Sequence, residues 1–93
     1  MRSYELITIF PAEEELFRAG KETVLAELAK HGAEIVKEED MGERQLAYAI
    51  NKRPRGHYVL FNVKLGTDKI TPAERAFMLN PNVLKHIFVR VDE

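Results

Sequence analysis

Five interruptions cut this chain into segments of distinct periodicity, and that division constrains the fold more than any other feature. They are Pro11, Gly32, the stretch from Asn51 to Gly56, Thr71-Pro72 and Asn80-Pro81. Tyr4 to Phe10 is almost continuously apolar and β-branched, which predicts a strand closed by Pro11. Glu13, Glu14 and Glu15 then occupy a helical first turn, where carboxylates complement the positive end of the dipole. Phe17, Val24, Leu25, Leu28 and Ala29 recur at helical spacing as one stripe, and Lys30, His31 and Gly32 form its stop. A long second strand is expected from Ala33 to Ile50, opened by Ile35 and Val36, with Gly42 marking a bulge or bend. Asn51-Lys52-Arg53-Pro54-Arg55-Gly56 reads as a turn, and His57 to Leu65 as a third strand. Thr71, Pro72 and Glu74 predict a capped helix start, with Ala76, Phe77 and Leu79 in the short helix that follows. Val83 to Val91 completes the series as a last strand.

The order βαββαβ has one dominant solution, the α+β, ferredoxin-like split βαβ sandwich, with both helices on one face of a four-stranded antiparallel sheet. Right-handed crossovers put the first and third strands in the centre. Leu46, Tyr48 and Ile50 are expected to face the helices beside Val59, Phe61 and Val63. The opposite alternation leaves Ile7, Ile9, Ala47, Ala49, Tyr58 and Leu60 on the face without helices. That face should be wet, so its apolar character points to a docked partner.

Length and charge narrow the function. Residues 1–93 form one expected domain of 10.7 kDa, with 45% hydrophobic residues and no cysteine. A composition of this kind excludes collagen-like and disordered chains, disulfide scaffolds and thiolate metal sites. Its longest apolar runs, such as Tyr58 to Phe61, are far too short for a membrane span, and Glu5 stands where a signal peptide would turn apolar; a soluble cytoplasmic protein is expected. Net charge is only −1, yet residues 1–43 carry −6 and residues 44–93 carry +5. An asymmetry of this size suggests a basic face for nucleic acid beside an acidic face in solvent.

Catalysis finds little support. His31, His57 and His86 have no metal-ligand spacing, and Ser3 is the only serine, so no nucleophile elbow exists. His31 reads as a helix C-terminal cation, His57 and His86 as ordinary strand residues, and Glu38-Glu39-Asp40 as a solvated acidic stretch. Three glutamates at the first helix start would repel a phosphate, against an acylphosphatase-like use of the fold. No cofactor or metal is expected. Cations are concentrated instead at Arg44 and at Lys52, Arg53 and Arg55 in the predicted turn, where they can reach phosphates beyond the body of the domain. The aromatic signature of an RNA-recognition-motif sheet is absent.

Read together, Met1-Arg2-Ser3-Tyr4-Glu5-Leu6, Gly42-Glu43-Arg44-Gln45-Leu46-Ala47-Tyr48, Gly56-His57-Tyr58-Val59-Leu60-Phe61 and Asn82-Val83-Leu84-Lys85-His86 resemble bacterial small-subunit ribosomal protein six over the whole chain. The resemblance implies a βαββαβ structural protein without enzymatic activity, paired with small-subunit ribosomal protein eighteen on the central domain of small-subunit ribosomal RNA. It gives a reason for both the apolar open face and the basic hairpin. Under it, Ile7, Ile9, Ala47, Ala49, Tyr58 and Leu60 are expected to contact the partner, and Arg44, Lys52, Arg53, Arg55, Arg2 and Arg90 the RNA. Gln45 and Ala49 depart from the basic residue and proline common in relatives, so only Arg44 carries over as basic from that stretch. Two other readings compete: a small-molecule-binding or enzymatic domain on the same fold, and a protein-interaction module without an RNA role.

Overall fold

The structure, a computed structural model, describes residues 1–91. Strand β1 (Arg2–Pro11) leads into helix α1 (Glu14–Lys30), followed by the hairpin of β2 (Glu34–Ile50) and β3 (Arg53–Leu65). A single 3-10 turn (Thr67–Lys69) runs into helix α2 (Ile70–Leu79), and β4 (Lys85–Arg90) closes the sheet. The strands are antiparallel in the order β2-β3-β1-β4, so the first and third strands are central, as the crossover rule requires.

Alternation along the central strands sorts the side chains by face. Tyr4, Leu6 and Phe10 of β1 are buried with Val59, Phe61, Val63 and Leu65 of β3. Val24 and Leu28 of α1 and Ala73 and Phe77 of α2 complete the same cluster, which places both helices on one side of the sheet. Thr8 lies in this layer fully buried, and its hydroxyl donates to the Val59 carbonyl oxygen at 2.8 Å. Burial of a hydroxyl is tolerated only with such a partner. At Gly20 the helix meets the loop before β4 so closely that a Cβ would stand 2.2 Å from the Asn82 carbonyl oxygen.

Several expectations are corrected. Only Asn51 and Lys52 form the hairpin turn; both have positive φ, 50° and 63°, as a type I′ turn demands, and Arg53 to Gly56 belong to β3. Pairing thus runs almost to the tip, with Ile50 opposite Arg53. Tyr48 does not face the helices but is 86% exposed, and Leu46 packs against Ile9 and Gly56 on the open side. Register irregularities between Gln45 and Ile50 shift the alternation assumed for this segment. Helix α2 begins at Ile70 without a side-chain cap; the 3-10 turn feeds it from below, and the Glu74 carboxylate meets His86 at 3.1 Å instead of closing a capping box at Thr71. Leu79 and Ala29 are exposed, and Val83 is a buried core residue of the loop rather than of β4. The bulge expected at Gly42 is present: register shifts between Asp40 and Gly42, and Gly42 has φ of 82°.

Candidate functional site

Residues directly opposed in neighbouring strands share a face, so the pairing defines the open side residue by residue. Ile7 lies opposite Ile87 in β4 and Leu60 in β3, making a three-strand apolar row. The next row holds Lys85, Ile9 and Tyr58, and reaches Gly42 in β2. Ile7, Tyr58 and Leu60 are half-buried, Ile87 and Val89 are exposed, and Ile9 is already covered within the chain. What covers Ile9 is the end of β2, which leaves a shallow cleft lined by Leu46, Tyr48, Ile50, Tyr58 and Lys85. Ala47 joins that lining and Ala49 is exposed beyond it. Ile87 and Val89 escaped the sequence reading; their alternation in β4 was visible, but nothing in it said which parity faced outward.

The cations do not form one patch. Arg44, opposite Gly56, is on the open side, and its Nε–H donates to the Met41 carbonyl oxygen at 3.4 Å. Arg53 and Arg55 have the parity of Val59 and Phe61, so they emerge on the helix-bearing side. There Arg53 donates to the Glu13 carboxylate and Arg55 to Glu43 Oε1 at 2.9 Å. Lys52 at the turn makes no ion pair among the described residues. Arg2 and Arg90 are exposed at the opposite end, close to Tyr4. Arg2 is nine residues from Pro11, which itself faces Gly56 of the hairpin. At roughly 3.4 Å per residue the two basic groups stand about 30 Å apart.

Between the hairpin and α1 lies a cluster that sequence reasoning missed. The His57 ring stacks on Phe17 at 3.7 Å with an interplanar angle of 5°, and its Nε2 lies 2.6 Å from Asp40 Oδ1. That carboxylate also accepts the Gly42 backbone N–H at 2.8 Å, pinning the bulge. Two residues earlier in β2, Glu38 Oε2 accepts from Lys21 Nζ at 2.5 Å. Two of the three residues expected to be a solvated acidic stretch therefore tie β2 to β3 and α1. Partial burial alone would raise the Asp40 carboxyl; the His57 and Gly42 hydrogen bonds, helped by the positive charges of His57 and Lys21, more than offset it and hold the group below its ordinary range. The Arg53 hydrogen bond depresses Glu13 in the same direction.

Such geometry defines a class: a small α+β sandwich distinguished by a partly uncovered apolar sheet face and separated basic groups. A family model for ribosomal protein S6 matches residues 3–90. The chain is 41% identical to the small ribosomal subunit protein bS6 of Treponema denticola over the full length of both. Identity is 42% to the bS6 of Halalkalibacterium halodurans, again over the full length of both chains. Among solved structures, 30S ribosomal protein S6 from Thermotoga maritima superposes with a TM-score of 0.82 at 26% identity, covering 97% of this chain and 87% of that one. A chemotaxis kinase CheA domain, also from Thermotoga maritima, reaches 0.66 at 14% identity and shares the fold alone. The chain belongs to the ribosomal protein S6 family. It is accordingly a component of the small ribosomal subunit, and the family is structural rather than enzymatic. Among the described residues no helix is long and apolar enough to cross a membrane.

Proposed function

We propose that the chain binds small-subunit ribosomal RNA, in the central domain, jointly with small-subunit ribosomal protein eighteen. The observation that carries this reading is the apolar row Ile87–Ile7–Leu60 on a sheet face that the chain itself leaves uncovered. Half-exposed β-branched and leucine side chains in one row supply a docking surface at roughly 25 cal/mol for each Å² of apolar area buried. The partner contacts assigned to it are Ile7, Tyr58 and Leu60, with Ala47 and Ala49 at the hairpin margin; Ile9 contributes from beneath. Arg44 lies on the same side, where it can meet RNA beside the docked partner. Arg53, Arg55 and Lys52 meet RNA from the hairpin's other side, and Arg2 and Arg90 from the far end of the sheet.

Net charge of −1 makes the isolated chain a poor polyanion ligand, so high affinity belongs to the pair. Filter-binding isotherms of central-domain RNA with the chain alone, the partner alone and the two together test this. Tight binding by the chain alone would overturn the requirement for a partner. Replacing Leu60→Asp puts a carboxylate into the apolar row and lowers affinity for protein eighteen by at least about tenfold, some 1.4 kcal/mol. Unchanged affinity in calorimetric titration would remove this face from the interface. Ribosome co-sedimentation gives the coarser check, since a chain left in the supernatant at low salt defeats the whole reading.

A further inference from the structure

The cleft flanking the hairpin gathers Lys52, Arg53 and Arg55 around an opening of about 470 Å³, and two carboxylates stand in it with them. Glu13 occupies the N-cap position of α1 yet makes no capping bond; its carboxylate is given to Arg53, forty residues away in sequence. Glu43 reaches along β2 to Arg55. Neither pair is locked by burial: the glutamate side chains are 57% and 47% exposed and the arginines 34% and 50%. Exposed ion pairs are weak, and a phosphodiester offers a guanidinium a comparable pair of oxygens sharing one negative charge, so it can take the carboxylate's place. A displaced Glu13 carboxylate stays beside the positive end of α1, where the helix dipole favours it.

We propose that Glu13 and Glu43 are built-in substitutes for phosphate, occupying Arg53 and Arg55 in the free chain and yielding them when a nucleic-acid backbone enters the cleft. The cleft is thus a phosphate site held closed by the chain's own carboxylates, which suppresses capture of stray polyanions. It rests on the RNA-binding reading above and adds to it a reason why the two hairpin arginines are not left bare.

Fluorescence anisotropy of a labelled oligouridylate with the full chain tests it. The double variant Glu13→Gln/Glu43→Gln keeps the side-chain shapes and frees both arginines, and affinity rises by up to about fivefold for each pair removed. Glu15→Gln/Glu22→Gln makes the same change of charge at exposed positions of α1 and produces a clearly smaller rise. Adding Arg53→Ala/Arg55→Ala to the Glu13/Glu43 variant abolishes the gain. An equal rise in both glutamine variants, or a gain that survives loss of the arginines, overturns the proposal. If Arg53→Ala/Arg55→Ala weakens RNA binding by the partner-bound pair while Glu13→Gln/Glu43→Gln changes nothing, RNA binding stands and the carboxylate substitution fails. If neither variant alters binding by the pair, the hairpin is not an RNA contact at all. On the unmodified chain, the Arg55 Nε–H resonance shifts as oligouridylate is added; a resonance unmoved at saturation is equally fatal.

Discussion

Thr8 and Asp40 each tie β3 to a neighbouring strand through one polar group, the first buried and the second exposed. Replacing Thr8→Val keeps the volume and removes the hydrogen bond to Val59; urea unfolding should show a loss of about 1 kcal/mol, typical of one neutral hydrogen bond. Asp40 acts through charge. Its carboxyl titrates lower in the folded chain than the ordinary value of 3.8, so its contribution is complete above that pH and is lost as pH falls through the folded value. Acid titration of stability should therefore be flatter below about pH 4 in Asp40→Asn than in the parent. His57 was legible as a lone histidine in a strand and nothing more. Its partners, Phe17 and Asp40, lie forty and seventeen residues away, and only the antiparallel pairing of β2 with β3, under α1, brings the three together.

At the scale of elements, periodicity carried the reading furthest where a segment is buried on one side. Helix α1, β1 and β3 have that character, and their residues announce them. Strand β2 does not: most of its residues are exposed, and its irregular register breaks the alternation, so the facing of Leu46 and Tyr48 could not be read from spacing. The capping pattern at Thr71 misled for a different reason, because a 3-10 turn had already started the spiral one turn earlier. Gly20 is the unread signal in α1. A glycine inside a helix costs about 1 kcal/mol against alanine unless something needs the space, and here the Asn82 carbonyl does. Gly20→Ala should thus destabilise rather than stabilise, by about 1–3 kcal/mol, as overpacking does. A melting temperature raised by this substitution would contradict the close approach.

For the whole molecule, the separation of the basic groups has an energetic meaning. Arg53 and Arg55 at the hairpin and Arg2 and Arg90 about 30 Å away share no partners, so their effects on RNA binding by the pair should add. Double-mutant cycles across the two groups should give a coupling below about 0.5 kcal/mol, and a larger one would mean a single distorted RNA segment bridges them. The charge asymmetry between halves was legible; its cancellation was not, because Glu13–Arg53 crosses from the acidic half to the basic one.

The strand order carries a consequence for synthesis. β1 is made first, but it lies between β3 and β4, and Phe88 of β4 packs against Tyr4 and Phe77. A nascent chain emerging from the ribosome can assemble β1, α1 and the β2–β3 hairpin early, yet β1 keeps one bare edge until residues 85–90 arrive. Cooperative closure then waits for the last contact to span almost the whole sequence, the situation in which loop entropy slows folding most. A chain stopped after Asn80 should remain protease-sensitive and lack a cooperative melt. The fold therefore becomes rigid only once residues 85–90 have joined the sheet beside β1.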